Sequence, residues 1–144
     1  MADVSLSAVS RIVLAVETRH SLRLVLMRGL SGMHHDPVMA SQAAETIIEA
    51  MREYPTLDMT LEGLRAMTRL TCLSRVCVDR CFELLVSTLQ QDVRRVVRLQ
   101  AARCLGQLSP TDYILWAVPI GDLPHLILTH SLAFDRAVVH LLML

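Results

Sequence analysis

Apolar residues return along this chain at i, i+3, i+4 and i+7 in one segment after another, the spacing that gathers side chains onto one face of a helix. Strand-type alternation is nowhere sustained. One set of such quartets runs Val9/Ile12/Val13/Val16, Ala44/Ile47/Ile48/Met51, Phe82/Leu85/Val86/Leu89 and Leu123/Leu126/Ile127/His130, at spacings of 35, 38 and 41 residues. A second set falls between them: Leu26/Gly29/Leu30/Met33, Gly63/Ala66/Met67/Leu70, Ala101/Cys104/Leu105/Leu108 and Ala137/His140/Leu141/Leu144, at spacings of 37, 38 and 36. Two interleaved helix types sharing one period imply a duplicated supersecondary unit, with the last copy cut short.

The punctuation keeps the same register. Asp36-Pro37 and Ser109-Pro110 each offer a capping oxygen followed by a proline at the first helical position, and Asp122 precedes Leu123-Pro124 in the same manner. Tyr54-Pro55 ends the helix that carries the second quartet, because a residue before proline is pushed out of the α region. The column Gly29, Ala66, Cys104 is small in three units, which predicts close helix approach there; His140 breaks it in the fourth.

On these residues the chain resembles a known family. Thr46 to Thr71, TIIEAMREYPTLDMTLEGLRAMTRLT, is similar to the second and third helices of an armadillo repeat, and Cys81 to Ser109 follows suit. The segment Ala117-Val118-Pro119-Ile120-Gly121-Asp122-Leu123-Pro124 resembles the turn by which such a unit enters its second helix. The resemblance is to the armadillo/HEAT superfamily and leaves the subtype open. It implies an all-α fold, a right-handed α-solenoid of about four armadillo-like repeats with the last incomplete, forming one domain over residues 1–144 that is either whole or a fragment of a longer solenoid. It also implies a protein-binding role on a concave face lined by third helices. Peptide-binding armadillo proteins grip their ligand's backbone with an Asn ladder; the matching positions here are Gly32, Arg69 and Gln107, so that device is missing.

Composition narrows the functions. The chain has 144 residues, enough for a hydrophobic core without staples, and 53% of them are hydrophobic but only 3% aromatic, a helix-packing palette. Fourteen basic and fourteen acidic residues cancel, which argues against a general nucleic-acid coat or a polybasic membrane anchor. All the basic residues other than His are Arg; without lysine there is no Schiff base and no phosphate-loop lysine. The least charged stretch, Tyr113 to Phe134, is long enough for a bilayer but is broken by Pro119, Gly121 and Pro124, so no membrane span is expected.

Cys72, Cys77, Cys81 and Cys104 lie among Leu, Val and Ala with no secretory signal ahead of them, and read as reduced, buried thiols in a cytoplasmic protein. Cys72, Cys77 and Cys81 with His34-His35 lack the paired C-x-x-C of structural zinc sites, so neither metal nor cofactor is expected. Use of Cys77 or Cys81 as a nucleophile would need a base and a glycine-bearing oxyanion loop, and the five glycines are scattered. The chain is therefore read as a non-catalytic scaffold or adaptor.

The candidate partner-binding residues follow from one polar column. Arg28, Arg65 and Arg103 are separated by 37 and 38 residues and fall opposite each unit's apolar quartet, so all three should face solvent. On the third-helix face that the resemblance implies, they form a ladder for carboxylates or phosphates, widened by Arg69 and flanked by Gln107. An acidic or helical segment of a protein partner is the expected ligand. A second basic cluster, Arg94, Arg95 and Arg98, opens a helix where positive charge opposes the dipole, which points to an outside anion or to Asp92, Asp112 or Glu83. The apolar end Ala137 to Leu144, AVVHLLML, lacks the polar cap that terminal repeats need. It suggests an end-on interface through His140, Leu141, Leu142 and Leu144, and with it the alternative of a structural subunit in a large assembly, for instance a cytoskeletal one, with no groove ligand.

Overall fold

In the computed structural model, which describes residues 2–74 and 77–108, the chain divides into two compact units, Met1–Cys77 and Val78–Leu144. Among the described residues all regular structure is helical. The first unit holds α1 (Ala2–Leu14), α2 (His20–Leu30), α3 (Pro37–Glu53) and α4 (Leu57–Leu73); the second holds α5 (Val78–Gln91) and α6 (Arg95–Gln107).

Local chemistry sets the helix ends of the first unit. The Asp36 carboxylate accepts from the Val38 amide at 2.7 Å with Pro37 at the first helical position, as the Asp-Pro pair predicts. Tyr54 leaves the helical region ahead of Pro55 and closes α3, and the Thr56 hydroxyl then caps α4 through the Met59 amide at 3.3 Å. Helices α1 and α2 pair as one hairpin and α3 and α4 as a second. Like packs on like between the hairpins, α1 on α3 and α2 on α4. Each hairpin thereby buries an apolar face against the other.

The core of this unit is aliphatic: Leu6 and Val13 from α1, Met27 and Leu30 from α2, Ala40, Ala43, Ala44, Ile47 and Ala50 from α3, and Met59, Leu64, Ala66, Met67 and Leu70 from α4. The buried hydroxyls of Thr46, Thr60, Thr68 and Thr71 donate back to the carbonyls four residues earlier, at 2.7 to 3.0 Å, so they enter the core satisfied. Gly63 lies against α3, where an added methyl would overlap the Met51 Sδ and Cγ. The close approach is at Gly63. At Gly29 a methyl would meet nothing within 4 Å, and the residue is exposed, so the small-residue column does not begin there.

Two expected apolar faces are displaced. In α1, Val13 is buried but Ile12 is 44% exposed, and Val16, beyond the helix end, is 83% exposed. In α2 the buried residues are Arg23, Met27 and Leu30, while Leu22 and Val25 face solvent. The reason is Arg23, whose Nε donates to the Val13 carbonyl at 2.8 Å and whose Nη2 donates to the Ala15 carbonyl at 2.6 Å. Its guanidinium stacks over Tyr54, 3.5 Å from the ring centroid, and the Tyr54 hydroxyl donates to the Leu14 carbonyl at 3.0 Å. The carbonyls at the C-terminus of α1 are thus capped by Arg23 of α2 and by Tyr54, the residue that follows α3, with a cation at the negative end of the dipole.

In the second unit α5 and α6 pack through Phe82, Leu85 and Leu89 against Val97, Ala101, Cys104 and Leu105, on the faces the spacing predicts. The joint between them is Asp92, whose carboxylate accepts from the Arg94 amide at 2.9 Å and from the Arg94 guanidinium at 2.9 and 3.1 Å. Arg98 donates to the Asp92 carbonyl at 2.9 Å. The Arg94 guanidinium holds the Asp92 carboxyl below its ordinary range, and Asp92 raises Arg94 in return. Of the anions named for this basic cluster, Asp92 is found beside Arg94, and Asp112 lies outside the described residues. The Ser109-Pro110 signal, the fourth repeat, the stretch Tyr113 to Phe134, and the proposed end-on residues His140, Leu141, Leu142 and Leu144 lie outside the described residues. Among the described residues no helix is long and apolar enough to cross a membrane.

Candidate functional site

Between its exposed ends Leu57 and Leu73, helix α4 is buried on most sides and exposes a strip of Asp58, Arg65, Arg69 and Cys72 at helical spacing. Glu62 falls in line with that strip, one turn from Asp58 and three residues before Arg65, yet its side chain is only 7% exposed. What covers it is cationic. Arg28, reaching across from α2, donates its Nε–H to Glu62 Oε1 at 3.1 Å. From α4 itself, Arg69 Nη2 stands 3.7 Å from the same oxygen and Arg65 Nη1 stands 3.8 Å from Oε2. The Arg28 hydrogen bond and the charge of Glu62 hold the Arg28 guanidinium above its ordinary range.

The three arginine side chains remain 46 to 62% exposed, so the carboxylate is behind and the guanidiniums are in front. Arg28 and Arg69 alone outnumber the one carboxylate they share, so the cluster carries an excess of positive charge. At the other end of the α2–α4 seam His20 lies 3.6 Å from Asp58, a pair with no such excess.

Arg28, Arg65 and Arg69 are therefore brought together, each solvent-facing as expected. Arg103 and Gln107 are exposed on α6, in the second unit. The position that corresponds to Glu62 on α6, 38 residues on, is Gln100, which is buried and donates to Cys104 Sγ at 3.4 Å. Arg103 thus lacks the carboxylate anchor that Arg65 has three residues before it. Glu62 was not singled out from the sequence. Its i, i+3 spacing to Arg65 is visible there, but its meeting with Arg28 spans 34 residues and needs the packing of α2 on α4.

The cysteines differ from expectation in one case: Cys77, Cys81 and Cys104 are buried, while Cys72 is exposed beside the arginine strip. Cys77 Sγ donates to the Ala40 carbonyl at 3.5 Å. Among the described residues no group of three His, Cys, Asp or Glu side chains is placed to hold a metal ion.

Comparison with known proteins sets these features in a family. The model of "Integrator complex subunit 7, N-terminal" matches residues 2–138. The chain belongs to that family. Integrator complex subunit 7 of Homo sapiens is 28% identical over 109 residues, which cover 76% of this chain and 11% of the relative. The Danio rerio protein of the same name is 30% identical over 108 residues, covering 75% of this chain and 11% of the relative. The chain thus spans about a tenth of the length of these relatives.

The family corrects one expectation. A cytoplasmic address does not stand, because the relatives are components of the Integrator complex, a nuclear assembly. Free cysteines do not separate cytosol from nucleus, since thiols stay reduced in both.

Proposed function

We propose that this chain is a non-catalytic helical-repeat module of a multi-subunit nuclear assembly of Integrator type, and that it presents the α2/α4 face to a protein partner. The observation that carries the reading is the convergence of Arg28, Arg65 and Arg69 on buried Glu62, with the cations outermost and a net positive charge. Buried Glu62 needs cations to compensate it, and each arginine so held is fixed at the surface. Holding it there removes side-chain freedom that a partner would otherwise have to quench. Val25, one turn from Arg28, is 61% exposed, and apolar surface beside arginine is the composition of an interface more than of a plain solvated face.

The stacking of α1 on α3 and α2 on α4 supports a solenoid of helix pairs, and two helices per unit favours a HEAT-like over a three-helix armadillo repeat. Arg103 and Gln107, exposed on α6, are proposed as partner-binding residues of the second unit, without a buried carboxylate to hold them.

The test is co-purification. Tagged full-length subunit carrying Arg28→Gln with Arg69→Gln, expressed in cells, should recover other subunits of the complex several-fold less well than the wild type, while helicity and melting are unchanged. Undiminished recovery by a normally folded variant would remove this face from the account. Failure of the wild type to recover any subunit would remove the assembly itself.

A further inference from the structure

We propose that the Arg28/Arg65/Arg69 cluster receives a phosphorylated serine or threonine side chain of the partner protein. This rests on the reading of the α2/α4 face as a partner surface and adds the chemistry of the group recognised.

The sequence suggests a ladder of arginines spaced along a groove, which would suit a row of separate carboxylates. The structure has something else: three guanidiniums drawn to a single point by the two oxygens of one carboxylate. Convergent donors suit a compact anion with several oxygens, not an extended acidic run. The charge agrees, since Arg28 and Arg69 alone exceed the charge of Glu62, and a phosphate monoester carries about −1.5 to −2 at neutral pH, against −1 for a carboxylate or a phosphodiester.

Donor geometry agrees as well. Arg28 gives Glu62 its Nε–H, the inner edge of the guanidinium, so its two terminal nitrogens at the exposed end form the fork that pairs with phosphate oxygens. Arg69 approaches Glu62 with one terminal nitrogen only. Glu62 is thus a positioning residue. It holds the guanidiniums from behind while the dianion arrives from solvent.

The experiment uses peptide pools with randomised flanks and a central phosphoserine, glutamate or serine, captured on the immobilised full-length subunit, with a single-stranded oligonucleotide as competitor. The wild type should enrich the phosphoserine pool about tenfold over the other two. Arg28→Lys keeps the charge but loses the fork, and should bring that ratio down to about threefold or less. Arg69→Lys, on a different helix, should do the same, so misfolding of one variant leaves the other to judge by, each checked by circular dichroism.

Equal enrichment of the glutamate pool overturns the proposal in favour of carboxylate recognition. Displacement by the oligonucleotide at lower concentration than by a phosphoserine peptide overturns it in favour of nucleic acid, and no enrichment of any pool overturns it outright. If subunit recovery still depends on Arg28 and Arg69 while the phosphoserine preference is absent, this inference alone falls. If recovery is indifferent to them, the partner surface falls with it.

Discussion

Replacing Arg23 with methionine keeps the aliphatic stem in the core of the first unit and removes the guanidinium. Three interactions go with it: the 2.8 Å bond to the Val13 carbonyl, the 2.6 Å bond to the Ala15 carbonyl and the stacking on Tyr54. Hydrogen bonds from a charged donor contribute about 1.5–3 kcal/mol each, and a partly desolvated cation–π contact about 1–2 kcal/mol. The simple total overstates the loss, because Arg23 is only 5% exposed and desolvating its charge already costs several kcal/mol that methionine avoids. A net loss of about 3 kcal/mol is expected, a large share of a small unit's stability.

Urea unfolding followed by far-ultraviolet circular dichroism measures it, as a lower midpoint at an unchanged slope. Arg23→Lys, which keeps the charge but not the planar two-carbonyl reach, should lose about half as much. Tyr54→Phe removes only the bond to the Leu14 carbonyl, and because both residues cap one helix end, the double mutant should show a coupling of at least about 0.5 kcal/mol. A loss below about 1 kcal/mol for Arg23→Met, with additive behaviour at Tyr54, would mean that water caps α1 equally well. The account of why α2 turns Arg23 inward would then fail.

The two helical glycines of the first unit should respond with opposite sign to alanine. Gly29→Ala, with open space around the new methyl, should raise the urea midpoint by about 0.5 kcal/mol of stability through helix propensity. Gly63→Ala should lower it by about 1–2 kcal/mol, since displacing Met51 outweighs the same gain. In the second unit the lowered Asp92 carboxyl contributes stability that is fully present above about pH 4 and is lost as the pH falls through its folded value. Unfolding of the α5–α6 unit, monitored by amide exchange between pH 5 and 2, should show an acid limb that Asp92→Asn flattens.

Much of the helix architecture is legible in the sequence where aliphatic spacing alone decides the buried face. Gly63, Ala66, Met67 and Leu70 are all buried, as are Ala101, Cys104, Leu105 and Leu108, and Phe82, Leu85 and Leu89. The cap at Asp36 and the stop at Tyr54 are read correctly because both depend on proline chemistry within a few residues. The face of α2 is missed by roughly a quarter-turn. Its spacing offers Leu26, Gly29, Leu30 and Met33 as the inner set, and an arginine is ordinarily assigned to solvent. Only the carbonyls at the end of α1, eight and ten residues earlier, make the interior habitable for Arg23. The candidate site is half legible for a similar reason: which arginines face outward is a matter of helical phase, but what they converge on is a matter of tertiary packing.

The misplaced face of α2 and the unnoticed Glu62 have one physical origin. Reading by residue type puts every charge outside, and the first unit puts two inside, Arg23 on α2 and Glu62 on α4. Each buried charge changes what its neighbours can do. Turning Arg23 toward α1 rotates α2 so that Leu22 and Val25 reach the surface, 46 and 61% exposed, beside Arg28. Burying Glu62 gives Arg28 a fixed acceptor on α4 and gathers Arg65 and Arg69 around it. A mixed surface of exposed aliphatics and pinned guanidiniums results, and neither half of it would exist if the two charges lay where pattern alone places them. At position 62 an apolar residue would satisfy the core at least as well by area, whereas at position 23 it would remove the donor to the Val13 and Ala15 carbonyls. On the proposed reading, buried Arg23 is explained by the helix end it caps and buried Glu62 by the surface it creates.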